Sequence, residues 1–314
     1  MKARTWSMAA AMALAIGTYG LHAQAPSSPI VAKVNGEAIF QAQLDHDLAL
    51  LVKERFKFGA PTGPQRRELR MEILHVLVDD ALMRQFLDRN GIQVAPAEVE
   101  KELANLEAGL RKQTPARTWQ EFCKESGQTE AQMRASVANM LRWAHYVKAR
   151  VTEADVKRYY DENKEFFDQI MIRASHILIR VGPGASEGER QAARQKLTAL
   201  RADILAGKID FAEAAKKYSQ CSSAPNGGDL GFFARKWMLH EAIAKAAFAL
   251  PIGGVSDPVQ SDVGMHILKV TERKKGEPSD YAKLKDEVRL YLVEEMRQQL
   301  LVKERMTAKI EMMP

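Results

Sequence analysis

The 314-residue chain has only two cysteines, Cys123 and Cys221, too few for the disulfide framework that holds small secreted folds together. A single bridge between them remains open, and it would occupy Cys221. Beyond the first residues no stretch approaches the roughly 18 consecutive apolar residues of a membrane helix, so no stable membrane insertion is expected. Neither a Ser/His/Asp arrangement nor a paired metal-ligand spacing presents itself, which leaves a protease without support. Internal repeats and low-complexity tracts are missing too, so a repeat array is excluded. The formal charge of +6 is too small to imply nucleic acid as a partner.

What is present is ample apolar material, 46% of residues, in a length that allows two domains. At the start, Lys2 and Arg4 precede an apolar run from Met8 to Ile16 that is too short to span a bilayer. This reads as a secretory signal peptide over residues 1–25, with Ala23 and Ala25 as the small residues of a cleavage site. Export to a Gram-negative periplasm is the simplest destination, with secretion as the alternative. Losing Lys2 and Arg4 with that segment leaves the mature chain moderately basic.

Residues 26–168 read as mostly helical. Val31 to Val34 and Glu37 to Phe40 flank Asn35-Gly36, a hairpin signal because both turn residues tolerate positive φ. Leu44, Leu48, Leu51, Val52 and Phe56 follow at helical spacing, which predicts a helix over 41–57. A second helix is predicted over 65–89, with Pro64 near its start and a stripe of Leu69, Ile73, Val76, Leu77 and Leu87. Further helices fit 96–112, about 117–126 and 129–149. Near the other end Leu284, Val288, Leu292, Met296 and Leu300 mark a long amphipathic helix after a polar linker at 274–278. An isolated helix cannot bury such a stripe, so residues 275–314 are expected to dock on the N-terminal helices, with 308–312 extending the hairpin.

Between these parts the periodicity changes. Over 169–274 a strand is predicted from Ala174 to Ile179, helices over Glu187 to Ala206, Phe211 to Tyr218 and Glu241 to Leu250, and strands over Val255 to Gln260 and Met265 to Val270. The fold class is therefore α+β, a small antiparallel sheet with surrounding helices joined to a mostly helical domain built from N- and C-terminal segments.

Three segments carry the chemistry: Arg173-Ala-Ser-His-Ile-Leu-Ile-Arg180, Tyr218-Ser-Gln-Cys-Ser-Ser-Ala-Pro-Asn-Gly-Gly-Asp-Leu-Gly231 and Asp262-Val-Gly-Met-His-Ile-Leu268. In this order they resemble the parvulin family of peptidyl-prolyl cis/trans isomerases over residues 171–273. The whole layout, an isomerase domain inserted between two parts of a helical chaperone-like domain, is similar to SurA-like and PrsA-like exported foldases.

The resemblance implies an enzyme that lowers the barrier of about 18 to 20 kcal/mol to rotation about an amide, for prolyl bonds that otherwise interconvert over tens to hundreds of seconds. No bond to the substrate need break, and no cofactor or metal is required. The twisted amide is less dipolar than the planar one, so an apolar cleft with a few polar groups behind it favours it. By resemblance the proline slot maps onto Leu230, Met238 and Ile243, and the polar floor, the catalytic set, onto His176, Cys221, Ser261 and His266. Cys221 is expected to act electrostatically or by hydrogen bonding rather than covalently, and the histidines to bond each other. Gly227-Gly228-Asp229 reads as a turn in which Asp229 caps backbone N–H groups, and Cys123 reads as structural.

Some positions depart from the family pattern. Ile243 stands where many relatives place Phe, and Val263 where some have a hydroxyl, which puts high turnover in doubt. The loop from Val181 to Gly188 lacks the basic cluster of phosphoserine-directed relatives, so no phosphate requirement is implied. The leading expectation is an isomerase that acts as a periplasmic foldase on unfolded or partly folded exported polypeptides, with a homodimer as one oligomeric option. The rival is a holdase chaperone whose parvulin domain is catalytically weak. A third reading is an assembly subunit that docks through its N-terminal helices.

Overall fold

The computed structural model describes residues 28–56, 59–114, 118–182 and 184–313. The expected signal peptide lies outside them. The chain divides into two compact units, one made of residues up to Glu153 together with Leu290 onward, the other of Ala154–Arg289.

In the first unit the hairpin forms as the residues dictate. Strands β1 (Ile30–Val34) and β2 (Glu37–Phe40) pair antiparallel around Asn35 and Gly36, whose φ values are 52° and 90°. A C-terminal strand, β7 (Ile310–Met312), joins β1 antiparallel with Ala32 opposite Met312, giving the order β2-β1-β7. Asn35 fastens this junction, since its Oδ1 accepts from the Lys309 N–H at 2.8 Å.

Five helices follow the hairpin: α1 (Gln41–Arg55), α2 (Gly63–Arg89), α3 (Pro96–Gln113), α4 (Trp119–Glu125) and α5 (Glu130–Lys148). Three of them start at reciprocal capping boxes, Thr62 with Gln65, Thr118 with Glu121 and Thr129 with Gln132, which satisfy N–H groups that a helix start leaves without partners. The core joins Val34 and Ile39 of the hairpin to Leu44, Leu77, Leu82 and Leu87, and to Leu301 near the C-terminus. The α2 stripe is rotated from the expected one. Val76 is exposed, while Leu74, Val78 and Met83 are buried, because the sheet and the neighbouring helices both cover this long helix. Leu301 belongs to the last helix, α11 (Tyr281–Thr307), which begins in the second unit and ends in the first. Its C-terminal turns are held on α2 by Arg305 with Asp79 at 2.8 Å and by Glu304 with Arg89.

The second unit takes in α6 (Glu153–Glu162) from Ala154 onward and a short helix α7 (Lys164–Phe167), which the sequence reading put on the N-terminal side. Its sheet has the order β4-β3-β6-β5, all antiparallel, from β3 (Met171–Arg180), β4 (Asp229–Ala234), β5 (Val259–Ser261) and β6 (Gly264–Lys274). Helices α8 (Glu187–Leu205) and α9 (Phe211–Tyr218) cover one face, where Ile177, Leu197, Phe211 and Ile267 pack together. Ile172, Ala174, Phe233 and Val270 pack against Ala247 and Phe248 of α10 (Glu241–Phe248) on the other.

Strand β4 was not foreseen, because Gly-Gly-Asp-Leu-Gly reads as a turn and Gly231, with φ 70°, interrupts the alternation. Strand β5 is shorter than expected, with Val255 making only an isolated bridge to Lys269. Strand β6 continues through Lys274 into the expected linker. Among the described residues no helix is long and apolar enough to cross a membrane.

Candidate active site

Side chains alternate faces along a strand. His176 therefore shares a face with Ile172 and Ala174, and His266 shares that same face with Val270. The register sets Leu178 opposite His266 and His176 opposite Leu268, so the two imidazoles lie diagonal to each other. Both are buried, and their Nδ1 atoms are 3.3 Å apart. The next partner is Ser261 on β5, whose Oγ lies 2.7 Å from His266 Nε2. Ser261 is fixed in turn by the Val263 N–H, which donates to Oγ at 3.2 Å.

Ser261, His266 and His176 thus form one hydrogen-bonded chain with two directions. If Ser261 donates to His266 Nε2, then His266 Nδ1–H donates to His176 and His176 carries its proton on Nε2. In the opposite direction His176 Nε2 is an acceptor. That atom is buried without a hydrogen-bond partner in the protein, and a buried unsatisfied polar group carries a cost. Burial disfavours the charged imidazolium. It pushes His176 down, and it brings His266 to about 4, helped by the charges of His176 and His240. Both rings are neutral at neutral pH.

Cys221 sits half-buried in the turn between α9 and β4. Ser219 holds this turn to β3, accepting at Oγ from the Leu178 N–H at 3.1 Å and the Cys221 N–H at 3.4 Å, and the Gln220 N–H donates to Leu178 O at 2.8 Å. Burial raises the Cys221 thiol, but hydrogen bonds from Ser223 and Ser222 outweigh it, and the net shift is downward. Both cysteines are free thiols, and Cys123 is buried in the helical unit.

Glycine at 228 has a specific cause. The His176 N–H donates to Gly228 O at 2.9 Å, and with φ 78° a Cβ at 228 would come within 2.1 Å of His176 O. Only a residue without a side chain lets the backbone lie this close. Asp229 caps the turn as expected, its Oδ1 accepting from the Gly231 N–H at 3.0 Å, and its carboxylate pairs with Arg173 at 2.7 Å.

The expected slot residues differ in exposure. Leu230 is partly buried against the α10 side of the core. Met238 is exposed, and its Sδ accepts from the Ala234 N–H at 3.2 Å. Ile243 is buried on α10. One further polar residue, His240, stands near Ser261. His240 caps α10 by accepting from the Ala242 N–H at 3.3 Å, and it pairs with Asp262 at 3.5 Å, next to Ser261. Its only sequence signal was a polar residue just before an apolar helix.

The sheet, its paired histidines and the glycine turn define a parvulin-type peptidyl-prolyl isomerase, and residues 176–272 match the family model described as PPIC-type PPIASE domain. Residues 1–147 match the SurA-like N-terminal domain. The foldase protein PrsA of Caldanaerobacter subterraneus subsp. tengcongensis is 33% identical over 260 residues, covering 78% of this chain and 74% of that protein. The chain belongs to this family of PrsA foldases. The peptidyl-prolyl cis-trans isomerase Pin1 of Malus domestica is 43% identical over 113 residues, covering 32% of this chain and 93% of that protein. A crystal structure of PrsA from Bacillus anthracis aligns with a TM-score of 0.42 at 28% identity, covering 74% of this chain and 95% of that one.

Proposed function

We propose that His176, Cys221, Ser261 and His266 form the isomerisation site of this foldase, with Leu230 and Met238 receiving the proline ring and Ile243 backing them. The observation that carries this reading is the hydrogen-bonded chain from Ser261 through His266 to His176, with spacings of 2.7 and 3.3 Å. As the amide twists, resonance is lost, and the carbonyl oxygen and the nitrogen change their demand for hydrogen bonds. A relay of neutral donors and acceptors answers that change without taking up a net charge. Cys221, whose thiol is shifted downward by hydrogen bonds from Ser223 and Ser222, acts through electrostatics or hydrogen bonding rather than by covalent attack, since the step breaks no bond of the substrate. The chemistry asks for no cofactor.

The exported, periplasmic location and the division into a signal peptide, a helical domain built from both ends of the chain and an isomerase domain between them are part of the same proposal. Leu50, Met71, Val76, Val302 and Met306 of the helical unit are exposed, and we take them as the apolar surface on which unfolded exported polypeptides are held. A homodimer is compatible with the same surfaces.

The test is acceleration of an unphosphorylated Ala-Pro peptide by the mature protein beside Cys221→Ala and His176→Ala. Each variant should lose about 10²-fold in kcat/KM, the size typical of a removed polar catalytic group, with circular dichroism unchanged. A folded wild type that suppresses aggregation of an unfolded client but accelerates nothing would leave the holdase reading.

A further inference from the structure

The turn from Arg235 to His240, between β4 and α10, is tied down on every side. Arg235 makes a two-pronged contact with Glu241 at 2.6 and 3.0 Å. Lys236 is 7% exposed, with its Nζ 5.3 Å from the centre of the Tyr159 ring, within cation–π range. His240 reaches Asp262 beside Ser261, and Met238 accepts from Ala234. Both cations of the turn are therefore turned to protein partners. The side chains it shows to solvent are Trp237, 50% exposed, Met238, 55% exposed, and His240, which faces Asp262.

Trp237 holds a φ of 69°. A bulky residue in the left-handed region is uncommon and costs conformational energy, and glycine would be the ordinary choice there. Strain of this kind persists where the surroundings over-determine it, often at ligand-binding segments. Here the surroundings are the four anchors just named, and the result is a large aromatic surface on the turn whose His240 reaches Asp262, next to Ser261.

We propose that Trp237 is a specificity-determining residue that, with Met238, receives an aromatic or large aliphatic side chain flanking the substrate proline, and so selects apolar over acidic sequences. This rests on reading the adjoining cleft as the isomerase site. The chemistry follows from the turn itself: a flat apolar ring and a thioether offer contact area and π-face, while Arg235 and Lys236 already have acidic and aromatic partners and do not point to an acidic substrate.

The experiment uses the mature protein and two peptide pairs, Ala-Phe-Pro-Ala against Ala-Glu-Pro-Ala and Ala-Ala-Pro-Phe against Ala-Ala-Pro-Glu, measuring both calorimetric Kd and isomerisation kcat/KM. In at least one pair the wild type should favour Phe by about tenfold, the discrimination expected from one well-packed apolar contact. Trp237→Gly, which suits the observed φ, should bring the ratio near one, and Trp237→Phe should keep most of it. Equal treatment of Phe and Glu by the wild type in both pairs, or a preference that survives Trp237→Gly, overturns the inference. Binding that shows the preference and loses it in Trp237→Gly, without any acceleration, upholds the inference and sinks only the isomerase reading.

Discussion

The helical unit buries Asp47 and Asp80, the isomerase unit buries His176 and His266, and in both places water has been removed from groups that titrate. Burial raises Asp47 from 3.8 to about 7, with the charge of Asp80 adding to it. Burial lowers His266 from 6.5 to about 4. The physical cause is one, since low-dielectric surroundings penalise whichever form is charged. The consequences for stability have opposite signs because carboxylates charge by losing a proton and imidazoles by gaining one.

For Asp47 the native state keeps a proton that the unfolded chain gives up above about pH 4. Its contribution is full below that pH and is lost as pH rises to about 7, on the order of 4 kcal/mol in all. For His266 the unfolded chain takes up a proton below about pH 6.5 that the native state resists until about 4. Its contribution is full above 6.5 and is lost as pH falls to about 4, on the order of 3 kcal/mol. The two units should therefore tolerate acid differently, the helical one better than the isomerase one.

The strongest way to break the comparison is to remove the scaffold of one pair. Gly228→Ala pushes a methyl group into the backbone of His176, where nothing flexible can yield. It should cost about 5 kcal/mol or abolish folding of the isomerase unit, read as loss of its near-ultraviolet circular dichroism. Asp47→Asn keeps the shape and removes the titration. Chemical denaturation from pH 4 to 8 should then lose the decline that the wild-type helical unit shows with rising pH, with a gain of about 4 kcal/mol at pH 8; an unchanged slope would show that Asp47 is not the group responsible.

His266→Gln should shrink the acid-side loss of the isomerase unit by about 3 kcal/mol between pH 6.5 and 4. Urea midpoints at the two pH values decide this. Ser261→Ala should have the smallest effect, about 1 kcal/mol at pH 7, the net value of one hydrogen bond, visible in the same urea curves. A loss several times larger would mean that the whole relay, and not one bond, depends on Ser261.

Much of this architecture is legible along the chain because its signals are local. Thr62 with Gln65 and Thr129 with Gln132 start helices within a few residues, and Asn35-Gly36 closes a hairpin by itself. Strand β4 escapes such reading since its first residues are those of a turn, and only pairing with β3 makes them a strand. Leu301, not Leu300, is the fully buried residue of the last helix turns, because a stripe repeated every four residues drifts around a helix of 3.6 residues per turn. His240 and Trp237 looked like ordinary loop residues. Their meaning depends on the β5–β6 hairpin and on Tyr159, which lie far away in the sequence.

The sequence by itself determined most of the helices and the hairpin, because caps, glycine turns and apolar periodicity act over a few residues, while its candidate site residues came from the family resemblance of three short segments. Tertiary structure alone decided that His176 and His266, ninety residues apart, lie within hydrogen-bond distance of each other, that Asp47 and Asp80 are buried, and that Trp237 faces solvent with a left-handed backbone. These depend on strand register and on exclusion of water, and both arise only when distant segments pack.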